Sequence, residues 1–300
     1  MSTDETAGRV KLAVQKKGRL ADDTFELLKR CGLSVSQSKS RLYARIAELP
    51  IDLLLVRDDD IPALVASGAS DLGIVGGNVY EEERCAGRLK DRVPMVKELG
   101  FSQCRLCIAV PKELDYQGPG QLDGLKIATS YPALTDNWLM GQGVQGAESV
   151  IMNGAHEIAP RLGVADAVCD IVSTGATLET NGLVVAETIY QSEALLIGGD
   201  LSSDQAKADT ARALRLRIEG VQRSRDAKYV MLNAPRAALD KIIDVLPAAE
   251  QPTILELAGK SDMVAVHTVC REAVVWEMLE ELKALGASAI LVLDIDKMLA

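Results

Sequence analysis

The residues best suited to chemistry form one continuous stretch, 168–177, in which a carboxylate and a glycine-rich turn follow a short apolar strand. Small residues around Gly175 leave backbone N–H groups accessible, and the turn also supplies three hydroxyl donors: Ser173, Thr174 and Thr177. Such a turn can bind a phosphate group. Asp170 stands where a carboxylate could hold ribose hydroxyls, or a magnesium ion that carries the same phosphates. Because no Gly-Lys-Ser/Thr follows, the turn is not the P-loop of nucleotide-binding proteins.

The order of residues from Asp170 to Thr177 resembles a signature of phosphoribosyltransferases: acid, two apolar residues, any residue, Thr, Gly, any residue, Thr. In that family the turn grips the 5-phosphate and the ribose of phosphoribosyl pyrophosphate. A motif of this length also occurs by accident, and an ordinary loop between a strand and a helix is the alternative. The rest of the chain has to decide between the two interpretations.

Length and composition indicate a globular protein. The 300 residues suggest two domains or three small ones, and 48% apolar with 25% charged residues is ordinary for a soluble chain. With two Phe and two Trp, the cores must be aliphatic. The net charge of -10 argues against general nucleic-acid binding. An acidic protein that binds polyphosphate must therefore concentrate its positive charge locally.

The chain ends and the cysteines predict a cytoplasmic protein. The polar N-terminus lacks the apolar core of a signal peptide, and no apolar run approaches membrane-spanning length. Six scattered cysteines are typical of reduced thiols rather than a disulfide framework. Cys104 and Cys107 lie three residues apart in a predicted strand, where they would point to opposite faces and could not act as a redox pair. We expect no membrane and no nucleic-acid partner.

The elements before residue 100 predict a largely parallel α/β sheet. Strands at 9–14, 51–56 and 71–75 alternate with helices, the first of them predicted to begin at Asp22. Residues 9–19 contain five cations and no acid. A basic loop at the carboxyl end of a first strand is a usual ligand position in open α/β sheets, although a solvated turn is the plain alternative.

Arg57 and the acidic run 58–60 follow the second of these strands. Three consecutive carboxylates suggest a metal site, but Pro62 and the following run make them better residues for a helix start. Arg57 is the stronger candidate for an anionic ligand. The glycines at 76 and 77 do not fit the dinucleotide spacing.

Closely spaced strands between 93 and 172 predict a second α/β lobe that ends in the phosphate-type turn. Strands at 184–189 and 194–197 should then return the chain to the first lobe. Two crossings make a hinged, two-lobe clamp with a ligand cleft between the lobes. His156 and His267, far apart in sequence and without partners that suggest a triad, are expected to have surface or packing roles.

The last part of the chain reads strand, helix, strand, strand, helix, strand, which is the ferredoxin-like order. It carries no convergent polar motif, which suits a regulatory or assembly module. The predicted organisation is a first catalytic lobe formed by 1–100 and 180–225, a second lobe formed by 101–179, and a C-terminal domain formed by 226–300.

Taken together, these segments resemble the long form of ATP phosphoribosyltransferase over essentially the whole chain. The segments that carry the resemblance are 15–20, 56–62, 71–76, 128–132, 170–179 and 286–292. The resemblance implies a catalytic part with the two-lobe fold of periplasmic binding proteins and a C-terminal domain that binds histidine as a feedback inhibitor. It also implies an allosteric homohexamer, with a dimer as the smaller form.

The reaction implied by the resemblance is the first step of histidine biosynthesis. The N1 nitrogen of ATP's adenine displaces pyrophosphate from C1 of phosphoribosyl pyrophosphate, with Mg2+ required. Positive charge develops on the sugar and negative charge on the pyrophosphate, so carboxylates should lie near the ribose and cations near the leaving group. No side chain stands out as a general base for the adenine, and positioning can suffice.

That chemistry assigns roles to particular residues. Asp170, Glu157 and Arg19 are the predicted catalytic residues, with Glu157 as a second ribose contact. The phosphoribosyl pyrophosphate site comprises Asp170, Ser173, Thr174, Gly175, Ala176 and Thr177. Five residues are predicted to bind ATP: Lys11, Lys16, Arg19 and Arg57 would face the pyrophosphate and the triphosphate, and Tyr131 would lie near the adenine or the ribose. In the C-terminal domain, the positions used around the inhibitor are matched by Asn233, Thr253 and Ala289, although some family members have Asp in place of Asn233.

Two rival interpretations remain. A two-lobe sensor that catalyses no reaction would share the same architecture. A sensor of amino acids, however, does not need two polyphosphate-binding features, the phosphate-type turn and the basic loop. A catalytically weak paralogue that requires a partner subunit is the other possibility. The C-terminal domain argues against it, because the partner-dependent short form lacks that domain.

Overall fold

The computed structural model describes residues 8–37, 42–89, 93–173, 175–225, 227–246 and 251–298. The chain divides into two compact units, Met1–Arg212 and Ala213–Ala300. The first unit contains two α/β sheets, and the second contains one sheet with two helices. The division falls inside a long helix, whereas the sequence placed the start of the C-terminal domain at residue 226.

The first half of unit one contains the elements β1 (Val10–Gln15), α1 (Arg19–Arg30), β2 (Val35–Gln37), β3 (Tyr43–Ile46), β4 (Ile51–Val56), α2 (Ile61–Ala66), β5 (Leu72–Gly76), α3 (Gly77–Cys85) and β6 (Met95–Glu98). The next elements are β7 (Cys104–Pro111), β8 (Lys126–Thr129), α4 (Pro132–Gly141), β9 (Glu148–Ile151), β10 (Ala167–Val172), α5 (Ala176–Thr180), β11 (Leu183–Ser192), β12 (Ala194–Gly198) and α6 (Gln205–Ser224).

The first sheet has seven strands in the order β2-β3-β4-β1-β5-β12-β6. At its centre β1 pairs in parallel with both β4 and β5, so the carboxyl ends of these three strands lie at one edge. Their near-continuous apolar sequences are those of strands covered on both faces, and Leu12, Ile51 and Ile74 are fully buried. The short β2–β3 hairpin was not predicted, and α1 begins at Arg19 rather than Asp22.

The second sheet has five strands in the order β11-β7-β10-β8-β9. Strands β10, β8 and β9 are parallel, with Thr129 level with both Cys169 and Ile151. The residues that follow these three positions therefore emerge side by side at the carboxyl edge. Asp170, Tyr131 and Glu157, which the sequence selected for chemistry, lie at this edge.

The chain crosses twice between the two sheets, as the sequence predicted, but β11 belongs to the second sheet and not to the first. It pairs antiparallel with β7 along ten residues, and only β12 returns to the first sheet. The crossings run side by side: the Leu99 N–H donates to the Ala194 carbonyl at 2.9 Å, and the Ala194 N–H donates to the Phe101 carbonyl at 3.0 Å. The two connecting segments are therefore adjacent, and a hinge at this place stays a prediction.

The lobes also touch through α3 and α4. The buried Glu82 carboxylate on α3 accepts hydrogen bonds from the backbone N–H groups of Ala133 and Leu134, at 3.1 and 2.8 Å. These are donors in the first turn of α4, which have no intrahelical partner. Glu82 therefore caps a helix of the second lobe from the first.

The second unit contains β13 (Ala227–Pro235), α7 (Leu239–Val245), β14 (Thr253–Leu257), β15 (Lys260–Arg271), α8 (Glu272–Ala284) and β16 (Ser288–Asp294). Its sheet is antiparallel throughout, in the order β14-β15-β13-β16. Val230, Val264 and Leu282 belong to its buried core. The predicted α/β part with two lobes and the ferredoxin-like (βαββαβ) order of the C-terminal domain are confirmed.

Within the described part of the chain, no helix combines the length and the apolar character needed to cross a membrane.

Replacing Glu82 with alanine should lower the free energy of unfolding by about 1–3 kcal/mol, because the buried N–H groups at the start of α4 would lose a charged acceptor. Urea denaturation followed by circular dichroism measures the change. Glu26→Ala is the matched control: Glu26 is 60% exposed in its pair with Lys29, and we expect less than about 0.5 kcal/mol. Equal losses in the two variants would contradict the role of Glu82 as a buried cap.

Candidate active site

A cleft of about 870 Å3 lies where the carboxyl edges of the two sheets face each other within the first unit. The first sheet contributes the loop after β1 and the turn after β4, and the second contributes Tyr131 and Ile171. Of the residues predicted to bind ATP and the pyrophosphate, the cleft is lined by Lys16, Arg19, Arg57 and Tyr131. Ligands of open α/β sheets bind at this edge.

Lys11 does not belong to this group. It is the second residue of β1, near the amino end of the strand, where its backbone N–H bonds the Asp71 carboxylate at 2.7 Å. Lys16 follows the carboxyl end of the same strand, about 16 Å further along. The sequence prediction treated the cations of 9–19 as one loop, but the strand between them carries Lys11 to the opposite edge.

Arg19 lines the cleft and also contacts the hinge. As the first residue of α1, it donates from Nη2 to the carbonyls of Ser102 and Gln103, both at 3.3 Å. Ser102 has a positive φ of 53° and donates its hydroxyl to Asp23 at 2.6 Å. The start of α1 is therefore fastened to one of the two crossings, and Arg19 joins the ligand cleft to the hinge.

The acidic run 58–60 forms a single 3-10 turn that leads directly into α2, so these residues stand at a helix start as predicted. None of their side chains caps the helix with a hydrogen bond. Asp58 is half-buried in the cleft and accepts the Gly76 N–H at 3.4 Å. Burial raises the pKa of Asp58 to about 6; the Gly76 hydrogen bond opposes this shift and the Asp59 charge adds to it. No cluster of three or more acidic, His or Cys side chains suited to a metal occurs among the residues that the structure describes.

Tyr131 joins the two lobes inside the cleft. Its hydroxyl accepts a hydrogen bond from Asn78 Nδ2 at 2.8 Å, and Asn78 Oδ1 in turn accepts the Ser192 hydroxyl at 2.8 Å. Burial is the main cause that raises the pKa of Tyr131, and the nearby Asp59, Asp170 and Asp58 charges act in the same direction. Tyr131 is therefore a neutral hydroxyl near the predicted ribose carboxylate.

His156 is not the surface or simple packing residue that the sequence predicted. It is 4% exposed, and its Nδ1 lies 2.9 Å from Asp170 Oδ2. On the other side of the ring, Nε2 lies 3.1 Å from the Met152 carbonyl and 3.0 Å from the Ser130 hydroxyl. The imidazole connects the Asp170 carboxylate to the ends of the two neighbouring strands.

The contacts of His156 favour the protonated ring. A carboxylate faces Nδ1 and a carbonyl faces Nε2, so each nitrogen meets an acceptor and needs its own proton. The Asp170 hydrogen bond is the largest cause that raises the pKa of His156, against the opposing effect of burial. The stability that this shift contributes is present below the unfolded pKa of about 6.5 and is lost as the pH rises through the folded value.

The predicted phosphate turn connects β10 to α5. Ser173, Ala176 and Thr177 are exposed, and Gly175 has φ +85°, a left-handed conformation that non-glycine residues rarely adopt. Thr174 lies outside the described residues. Because the first N–H groups of a helix have no intrahelical partner, the start of α5 has backbone donors available to a ligand.

Glu157 occupies a 3-10 turn, His156–Ile158, directly after the left-handed Ala155 with φ 52°. It is half-buried and adjacent in sequence to the imidazole that contacts Asp170. The structure therefore brings the two predicted ribose carboxylates to the same edge of the second sheet.

The predicted inhibitor residues lie in the second unit. Asn233 alternates with the buried Leu232 and Ala234, so its side chain points to the sheet face opposite the core. Thr253 is on the same face, since it pairs with His267, which alternates with the buried Val266. Ala289 has φ 49° and lies where the pairing of β16 with β13 is irregular.

Comparison with known families identifies the chain. Residues 57–220 match the family described as HisG, ATP phosphoribosyltransferase, and residues 224–297 match the HisG C-terminal domain. The first match alone covers more than half of the sequence. The chain belongs to the ATP phosphoribosyltransferase family. It is therefore a pentosyltransferase of histidine biosynthesis, and enzymes of this family use ATP and phosphoribosyl pyrophosphate.

Two solved structures are similar to this chain, and the first of them shares its fold. The ATP phosphoribosyl transferase (HisG:HisZ) complex from Thermotoga maritima matches with 24% identity and a TM-score of 0.57, over 70% of this chain and 98% of that one. The arginine-bound, truncated form of ArgBP from T. maritima matches with 12% identity and a TM-score of 0.42, over 70% and 97% of the two chains.

Sequence reasoning missed the polar residues that support the cleft. Asn78 follows β5 at the carboxyl edge, and that position was a usable signal. Glu82 gave no signal, because nothing distinguishes it from Glu81 and Glu83 in sequence. The partner of His156 becomes visible only when β8, β9 and β10 are placed side by side.

Asp58→Asn should raise the free energy of unfolding by roughly 1–3 kcal/mol at pH 8, with the gain disappearing near pH 4. The folded pKa of about 6 lies above the reference value of 3.8, so the ionised carboxyl destabilises the fold above pH 6, and this penalty fades as the pH falls. Urea denaturation across this pH range measures it. The exposed neighbour variant Asp60→Asn is the control, and a gain at pH 8 that persists at pH 4 would refute the assignment.

Gly175→Ala should raise the KM for phosphoribosyl pyrophosphate about tenfold, because a shifted turn misplaces its donors. Gly182→Ala is the matched control, since Gly182 ends the same short helix with φ +74° and has open space around it. Both variants should lose about 1 kcal/mol of stability to left-handed strain. Steady-state kinetics and thermal unfolding separate the effects, and equal KM values in the two variants would exclude the turn from binding.

Proposed function

We propose that the chain catalyses magnesium-dependent transfer of the phosphoribosyl group from phosphoribosyl pyrophosphate to N1 of ATP's adenine. The products are phosphoribosyl-ATP and pyrophosphate, and histidine inhibits the reaction. One arrangement, in a chain of a family with this activity, carries the proposal: Tyr131 and Ile171, the residue after Asp170, line the same cleft as Lys16 and Arg57. An enzyme that transfers a group from one polyphosphate substrate to another needs binding groups for both substrates in one cleft.

The roles of the residues follow from the charges of the reaction. The turn 173–177 binds the 5-phosphate, and the carboxylates of Asp170 and Glu157 accept the ribose hydroxyls. Their negative charge stabilises the positive charge that develops on the sugar ring as the bond to pyrophosphate lengthens. Lys16 and Arg57 interact with the departing pyrophosphate or with the triphosphate of ATP. The adenine N1 is a neutral ring nitrogen that attacks with its lone pair and carries no proton, so correct positioning can suffice without a general base.

Magnesium enters this proposal with the substrate. Mg2+ commonly binds through substrate phosphates and water with one or two protein carboxylates, so a dedicated cage of protein ligands is not needed. Bound there, it neutralises charge on the leaving pyrophosphate. The protein's own contribution is the cationic side of the cleft, where Lys16, Lys17 and Arg57 are exposed.

The second unit supports the regulatory part of the proposal. Asn233 and Thr253 lie on the face of the sheet that does not pack on the helices, and Leu255, Leu291 and Leu293 are about half exposed there or at its edges. We propose that this unit binds histidine and takes part in assembly of a homohexamer, with a dimer as the smaller form. The Thermotoga protein functions in a HisG:HisZ complex, but this chain also matches the C-terminal domain, and we propose that it needs no such partner.

A cytoplasmic location belongs to the same proposal. All six cysteines are free thiols, four of them buried, which is the form that a reducing compartment maintains.

The test is an absorbance assay of the protein with ATP, phosphoribosyl pyrophosphate and Mg2+, in which pyrophosphatase removes the pyrophosphate, with and without histidine. Product formation that histidine suppresses is the expected result. Asp170→Asn should lower kcat/KM at least tenfold with unchanged circular dichroism. A folded wild-type protein that binds a small ligand but forms no product would instead indicate a two-lobe sensor without chemistry.

The inhibitor assignment has its own test. Asn233→Ala should raise the histidine concentration for half-inhibition about tenfold, because one polar contact to the ligand is lost. Glu256→Ala, which removes an exposed carboxylate paired with Arg236 on the same sheet, is the control. Inhibition unchanged in both variants would place the histidine site elsewhere.

A further inference from the structure

We propose that His156 is a positioning residue for phosphoribosyl transfer, which holds the Asp170 carboxylate in the orientation that the ribose hydroxyls require. The proposal rests on the function proposed above, since Asp170 must contact the ribose. His156 itself is buried and has no surface to offer a substrate. It acts through the carboxylate that it contacts.

The geometry leaves the outer side of Asp170 free for a ligand. Oδ2 faces His156 Nδ1 at 2.9 Å, and Oδ1 accepts the N–H of the next residue, Ile171, at 2.7 Å. A carboxylate has about four acceptor positions, so these two bonds fix its plane and leave two positions unused. The side chain of Asp170 is still 31% exposed, whereas that of His156 is 5% exposed. The imidazole therefore contacts the carboxylate on its buried side, and the exposed side faces solvent.

His156 is itself held in place by two neighbouring strands. Its Nε2 faces the Met152 carbonyl at 3.1 Å, and Met152 directly follows β9. The Ser130 hydroxyl, 3.0 Å from the same nitrogen, directly follows β8 and also donates to the Met152 carbonyl at 2.8 Å. Asp170, Ser130 and Met152 each stand one position beyond the level row of Cys169, Thr129 and Ile151.

The imidazole thus ties the ends of β8 and β9 to one carboxylate oxygen of Asp170, which lies inside β10. Without this contact the aspartate side chain can sample several rotamers, and a change of rotamer moves its oxygens by about an ångström or more. Misplacement of this size in a binding group can lower turnover about a hundredfold. A histidine that only filled space would need neither the Asp170 contact nor the paired contacts on its far side.

The test uses three variants of the full chain, assayed for kcat and for the KM values of both substrates. His156→Asn keeps a donor near the Nδ1 position and should retain turnover within about threefold. His156→Gln reaches toward Met152 and Ser130 but offers nothing to Asp170, and His156→Phe keeps only the ring. In these two variants we expect kcat/KM for phosphoribosyl pyrophosphate to fall roughly 10- to 100-fold, with the KM for ATP unchanged.

Only variants with wild-type circular dichroism and thermal unfolding are compared, and if the Phe variant does not fold, the Asn and Gln pair decides. Equal kinetics for Asn and Gln, or a KM for ATP that rises as much as the KM for phosphoribosyl pyrophosphate, would overturn the positioning role. Such results would leave a purely structural histidine.

A double-mutant cycle with Asp170→Asn separates this inference from the proposed function. If His156 acts through Asp170, adding His156→Gln to Asp170→Asn should change kcat/KM by less than about twofold. A further loss equal to that of the single variant would overturn the inference and leave Asp170 in the mechanism. Normal turnover of Asp170→Asn alone would instead overturn the proposed function of Asp170, and the inference would fall with it.

Discussion

The whole active site depends on one constraint: parallel strands bring their carboxyl ends to the same edge of a sheet. Strands β4, β1 and β5 deliver the basic loop, the acidic turn and Asn78 to one edge, and β8, β9 and β10 deliver Tyr131, the His156 turn and Asp170 to another. The two hydrogen-bonded crossings make these edges face each other. Residues far apart in the sequence thereby line one cleft.

The charge of the cleft is more balanced than that of the basic loop alone. The chain carries a net charge of -10, yet the cleft must accept two polyphosphates. Lys16, Lys17 and Arg57 provide positive charge, but the acidic turn 58–60 lies among them. Burial raises the pKa of Asp58 to about 6, because the buried site disfavours the ionised carboxylate relative to the neutral acid. The proposed phosphate turn of the second sheet would use backbone donors and hydroxyls, which bind phosphate without adding net charge.

The sequence predicted most of the elements, and four of its candidate ligand residues, Lys16, Arg19, Arg57 and Tyr131, line one cleft. It failed where the direction or the pairing of strands mattered. Long apolar runs such as β1 and β4 were recognisable because both faces are buried, whereas the two short strands of the β2–β3 hairpin carry little periodicity. Lys11 was assigned to the wrong edge because the prediction ignored the length of the strand that separates it from Lys16. His156 lies fourteen residues before Asp170, and only the register of three strands brings them within hydrogen-bonding distance.

The measurement that tests the account most directly is a crystal structure of the protein with phosphoribosyl pyrophosphate and Mg2+ bound. The account predicts the 5-phosphate against the backbone N–H groups at the start of α5, the ribose hydroxyls on Asp170, and the pyrophosphate directed toward Lys16 and Arg57. A ligand bound in the opposite direction, with its pyrophosphate in the turn 173–177, or one bound away from Asp170, would contradict it.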